Sequence, residues 1–264
     1  MTGIELPTQL LIVYLLLHLR FIGLISGSPL FTATMAPTPF RYLFATLLTA
    51  AAAASIGEQD IPLLLFDGPL SIALVGAREL LIGLALGFLS SLTLIAVRVA
   101  GEQIGTTMGF SMAQVMDPTT QTQDSILGQL HFFVALWSWF RWNGHLLLIH
   151  AAVESLGLAP LGRLSFLPTG DVGAGAWLQG LFTLAMRVAI PFYCALVLAD
   201  IGLGFLARTV PQMNIFVLGL PIKVALGFLV LTVALPLMVD LVFGQFERWI
   251  GTALETTLLW RAGP

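Results

Sequence analysis

Four histidines, one cysteine and fourteen carboxylates are the side chains of this 264-residue sequence best suited to do chemistry. Metal binding, nucleophilic attack and general acid–base work would be open to them. Their spacing fits none of these. His18, His131, His145 and His150 do not fall at zinc-site intervals, and the last two lie beside the turn residues Asn143 and Gly144. They read as core or interfacial histidines. Cys194 lies in the apolar run 190–199, where a thiol is ordinarily buried and inert, and a single cysteine excludes an intrachain disulfide. No nucleophile elbow, phosphate loop or paired-carboxylate motif is present, and Gly202-Leu-Gly204 alone is too little for a nucleotide site. The sequence therefore predicts no catalytic residue, no metal and no cofactor.

Two segments point instead to the physical chemistry of sealing. In residues 101–118, Met108, Met112 and Met116 recur every fourth position and would form a stripe of flexible thioethers on a helix. Asp117-Pro118 is expected to stop that helix before the polar stretch 119–124. Such a stripe is ordinarily core; alternatively it is a deformable seal. The second segment, 208–223, carries Pro211 and Pro221 with Gln212 and Asn214 between them, inside otherwise apolar sequence. Irregular backbone at membrane depth survives only when buried in protein or lining a cavity, so this is either a kinked span or a pore-lining break.

Composition sets the environment of these segments. Only 9% of residues are charged and 58% are hydrophobic, with a mean hydropathy of +0.95, whereas soluble domains carry about 25% charged residues. Water alone cannot solvate such a surface, so lipid or other protein must cover it. No basic cluster exists, so nucleic acid is excluded as a partner. Residues 1–31 lack a basic leader and read as mature protein. A clean membrane helix needs about 20 apolar residues. The best candidate is 80–97; 21–40 is broken by Pro29, Pro37 and Pro39; 42–57, 125–140 and 224–239 are shorter uncharged runs. Residues 57–69 and 157–175 read as loops. Trp137, Trp139 and Trp142, near Arg141, read as an interfacial aromatic belt.

Arg20, Arg78, Glu79, Arg98, Arg187, Asp200, Arg208, Lys223 and Asp240 are each embedded in apolar sequence. A charge facing hydrocarbon costs roughly 2.5–3.5 kcal/mol on insertion scales. A membrane-boundary position suits Arg20, Arg98 and Asp240. Burial against partner subunits suits Arg187, Asp200, Arg208 and Lys223. Four-residue glycine spacings (Gly23/Gly27, Gly83/Gly87 and the triple Gly101/Gly105/Gly109) predict close helix packing, with Gly101 and Gly105 the most specific.

Residues 101–118, the Trp142-Asn-Gly-His145 turn and Arg208-x-x-Pro-Gln-Met-Asn-Ile-Phe216-x-x-Gly-x-Pro221 together resemble the flagellar FliR family of type III export-gate proteins, whose injectisome counterparts are more distant. The resemblance covers nearly the whole chain. It implies an all-α fold of bent, membrane-associated helical hairpins in a single export-gate domain, with a FliP-like half (1–160) joined through 157–175 to a FliQ-like half (176–264). It implies FliP and FliQ as partners, with FlhB and FlhA nearby, unfolded flagellar subunits in transit, and a place in the basal body at the bacterial inner membrane. It further implies a plug loop at Met108, Gly109, Phe110, Ser111, Met112, Ala113, Gln114, Val115, Met116, Asp117 and Pro118. An apolar constriction falls at Phe216, with Met213 and Ile215 as alternatives. An injectisome gate subunit, a small-solute transporter or a purely structural assembly nucleus are the competing readings.

Overall fold

A computed structural model describes residues 5–28, 37–55, 69–110, 125–162, 173–210, 212 and 214–259, and among these there are helices and no strands. In chain order they are α1 (Glu5–Gly27), α2 (Thr38–Ser55), α3 (Pro69–Met108), α4 (Ile126–Arg141), α5 (Gly144–Leu158), α6 (Ala174–Thr209) and α7 (Ile215–Leu258).

Local chemistry explains many of the boundaries. α2 carries an alanine run at 50–54, the strongest helix former available, and its first amides bond back to the Pro37 carbonyl. α3 opens on Pro69, whose missing N–H costs nothing at a first helical position. It ends at Gly109, which takes φ +94 while the Phe110 amide bonds Gly105 O at 3.0 Å. A left-handed glycine is the usual helix stop, so α3 ends at Met108 and not at Asp117-Pro118 as the proline suggests. Ser125 caps α4 by accepting from the Gly128 amide. Asn143, at φ 56, makes the left-handed turn between α4 and α5. Asn214 caps α7, its carbonyl accepting from the Val217 and Leu218 amides and its side chain from Val217 N.

α7 runs straight through Pro221 and Pro236, and α6 through Pro191. Each proline removes one intrahelical bond without ending its helix. Residues 215–221 of the segment read as a kinked span or a pore-lining break are therefore helical.

The chain divides into two compact units that interleave in sequence. The first comprises residues 1–92, 143–174 and 246–264, with Leu16, Leu17, Phe21, Leu24, Ile82 and Leu86 in its core. The second comprises 93–142 and 175–245, with a core that includes Val97, Ile104, Trp139, Val188 and Phe192. Among the described residues three helices are long and apolar enough to cross a membrane: 70–108, 174–209 and 217–258. The most apolar window of the first is 67% buried, against 39% and 17% for the others. Val233 at 74% and Leu198 at 68% exposure are typical of the surface α6 and α7 leave open.

Candidate functional site

The most conspicuous polar cluster is the one that composition hides. In the first unit Arg20, Arg78 and Glu79 are all at most 1% exposed. Arg20 reaches Glu79 Oε2 through Nε at 2.8 Å and Nη2 at 2.5 Å, and Arg78 Nη1 donates to Oε1 at 2.7 Å. Glu79 thus holds one arginine on each oxygen. Arg20 also donates to Ser155 Oγ at 3.2 Å and Ala159 O at 2.8 Å, and Arg78 to Pro160 O at 3.3 Å. These bonds join α1, α3 and the end of α5. A buried pair is better tolerated when further hydrogen bonds of this kind satisfy other donors of the cluster. Arg20, expected at a membrane boundary, is inside the protein, where its bonds to Glu79, Ser155 and Ala159 offset the cost of burying it.

One turn further along, α1 and α3 cross in parallel with their backbones in contact. A Cβ at Gly23 would meet Leu84 N at 2.8 Å and Gly83 Cα at 3.1 Å; one at Gly27 would meet Leu84 O at 2.7 Å and Phe88 N at 2.9 Å. Gly83 and Gly87 are closed off reciprocally by the backbone at Leu24 and Ser28, each 2.9 Å away. Small residues at this spacing let helices approach closely.

In the second unit Gly101 and Gly105 do the same for α4. A Cβ at Gly101 would lie 2.6 Å from Leu127 O and 2.9 Å from His131 Cβ, and one at Gly105 would lie 2.7 Å from Ser125 Oγ. His131 is a core histidine: its Nδ1 donates to Leu127 O at 2.8 Å and its ring meets Phe192 edge-on at 5.8 Å.

Of the plug residues, Met108, Gly109 and Phe110 are described, and 111–118 lie outside the described residues. Met108 is 1% exposed. Its Cγ lies 3.1 Å from where a Cβ on Gly227 would be, with Sδ and Cε nearer still. Leu220 Cδ1 stands 2.5 Å from the corresponding point at Gly109. Of the constriction candidates, Ile215 and Phe216 open α7 and Met213 lies outside the described residues.

The charges on α6 and α7 are distributed differently from the buried cluster. Arg187, Asp200 and Arg208 are exposed in this chain, and Lys223 is half-buried. Lys223 Nζ pairs with Asp200 Oδ1 at 2.5 Å. Arg208 occupies the last turn of α6, where a cation complements the free carbonyls of the helix end. Arg98 bonds Glu102 one turn on, at 3.1 Å, and both are partly exposed. The aromatic belt is only partly a surface feature. Trp137 is 64% exposed, but Trp139 is 2% exposed with its ring edge-on to Phe140 at 5.2 Å, because it falls on the inward face of α4. Trp142 packs on Phe243 at 4.8 Å. Among the described residues no group of three or more His, Cys, Asp or Glu gathers as a metal site.

Comparison with known proteins gives a consistent set of relatives. The family described as bacterial export proteins, family 1, matches residues 11–249. The chain is similar to the flagellar biosynthetic protein FliR of Escherichia coli, at 33% identity over 226 residues and 83% of each chain. It is similar to FliR of Bacillus subtilis, at 32% identity over 243 residues, covering 90% of this chain and 92% of the relative. The Yop proteins translocation protein T of Yersinia pestis is 28% identical over 167 residues, 62% of this chain and 63% of the relative.

Proposed function

The chain belongs to family 1 of the bacterial export proteins, and from that premise we propose that it is a subunit of the flagellar protein export gate in the bacterial inner membrane. The observation that carries this reading is the surface of α6 and α7. It is apolar, largely uncovered by the chain itself, and punctuated by the exposed cations Arg187 and Arg208. Lipid alone is a poor cover for such charges. Neighbouring helices that bring opposite charges or carbonyls would satisfy them.

On this reading FliP and FliQ surround the chain, FlhB and FlhA lie close by, and residues 1–160 and 176–264 are FliP-like and FliQ-like halves of one export-gate domain. Residues 108–118 form a plug, and Phe216 contributes to an apolar ring, with Met213 and Ile215 as neighbours. An apolar ring with a thioether-lined plug excludes water and ions by dewetting and steric fit. An arriving unfolded subunit binds the open arrangement better and shifts a mainly closed population. The chain makes and breaks no bonds; energy enters from other components. Deleting residues 109–115 and measuring ion leakage through the assembled complex tests the plug. A leak is expected, and unchanged permeability rejects it.

A further inference from the structure

We propose that Met108 and Gly227 are a matched knob and notch that position the end of α3 on α7, and with it the root of the segment read above as the plug. The inference rests on the gate reading and adds to it a specific positioning pair.

Met108 is the last residue of its helix, a place where side chains are commonly solvated, yet it is 1% exposed. It is seated over Gly227, where nothing larger than hydrogen fits while the thioether is in place. The next residue, Gly109, turns the backbone at φ +94 and lies beneath Leu220. Leu220, Lys223 and Gly227 follow the i, i+3, i+7 spacing of a single helix face. All three are engaged: Leu220 with Gly109, Lys223 with Asp200 on α6, and Gly227 with Met108. One stripe of α7 therefore holds both the end of α3 and its own hairpin partner.

Pro221 lies between Leu220 and Lys223 and removes the bond that would tie its turn to Val217, so the turn bearing Leu220 has one backbone restraint fewer than a fully bonded turn. Methionine suits the knob because its unbranched chain leaves and re-enters a notch with little strain. A displacement of α7 by a neighbouring subunit is thereby passed to the residue at which α3 ends.

The test uses the full chain expressed with the other gate subunits, with potassium efflux normalised to the amount of assembled complex. Gly227→Val displaces Met108 and is expected to raise efflux about tenfold, and Met108→Ala to raise it less. The pair Met108→Ala with Gly227→Val is expected to leak less than Gly227→Val alone, since the shortened side chain makes room for the new one. Efflux equal to the product of the two single effects would show that the residues act independently, and would overturn the proposal. Should Gly227→Val fail to assemble, Gly227→Ala is judged by the same non-additivity. If the 109–115 deletion leaks while no substitution does, the pair is wrong and the gate reading stands. If the deletion does not leak either, the plug reading fails and the pair fails with it.

Discussion

Arg20 on α1 and Glu79 on α3, 59 residues apart in sequence, meet through two nitrogens at 2.8 and 2.5 Å with essentially no exposure to solvent. The contact stands one turn from the crossing of Gly23 and Gly27 with Gly83 and Gly87. The glycines let the two backbones touch, and that approach brings the guanidinium within reach of the carboxylate. Neither feature is secure without the other. An arginine buried without Glu79 would be an uncompensated cation, and a glycine crossing without the ion pair has little to fix its register.

Removing the carboxylate is expected to be more damaging than its single charge suggests. Glu79→Gln leaves Arg20 and Arg78 buried beside one another, and breaking a buried pair this way costs about 3–5 kcal/mol. Thermal unfolding of the chain in detergent measures it. A Glu79→Gln chain as stable as the native one would show that the cluster is hydrated in solution.

The glycine crossing makes a prediction about size alone. Gly83→Ala places a methyl group against the Arg20 carbonyl, which has no rotamer by which to retreat, and is expected to cost about 1–3 kcal/mol. Gly157→Ala on α5 meets nothing within 4 Å and is expected to be neutral or stabilising by up to about 1 kcal/mol. Equal effects of the two, in the same unfolding measurement, would contradict the close approach.

The charges of α6 should separate folding from assembly. Arg187→Leu is expected to leave the stability of the isolated chain within about 0.5 kcal/mol, since the side chain is exposed there. Recovery of the complex should nevertheless fall severalfold. Loss of stability without loss of assembly would assign Arg187 to the chain's own fold.

Phe216→Ala is expected to raise ion leakage through assembled complexes, because a shorter side chain widens and wets an apolar constriction. The same change at Ile215 should have a smaller effect. A larger effect at Ile215 would move the constriction by one residue.

The membrane-associated character of the chain was legible from its low charge and high hydrophobic content, its helical fold from the family resemblance, and the close approach at Gly101 and Gly105 agrees with their four-residue spacing. Helix length was not. The run 80–97 lies inside α3, which spans Pro69–Met108, because hydropathy ends a span at Arg78, Glu79 and Arg98 without seeing that each has a partner. The end of α3 was misplaced because Pro118 seemed the stronger stop, although Gly109 carried the helix-ending signal. Arg20 was assigned to a boundary because its partner is 59 residues away, and no local window contains both. Trp139 looked interfacial by residue type, but it lies two residues from exposed Trp137 on a helix and therefore faces inward. Pro221 looked like the end of a break or a kink, yet it removes only one bond from a helix of 44 residues.

The claim that other subunits cover α6 and α7 is tested most directly by affinity purification of the tagged full-length chain from its native membranes in mild detergent. The account predicts that FliP and FliQ are recovered with it as one complex. Recovery of the chain as a stable, monodisperse polypeptide with neither protein attached would contradict it.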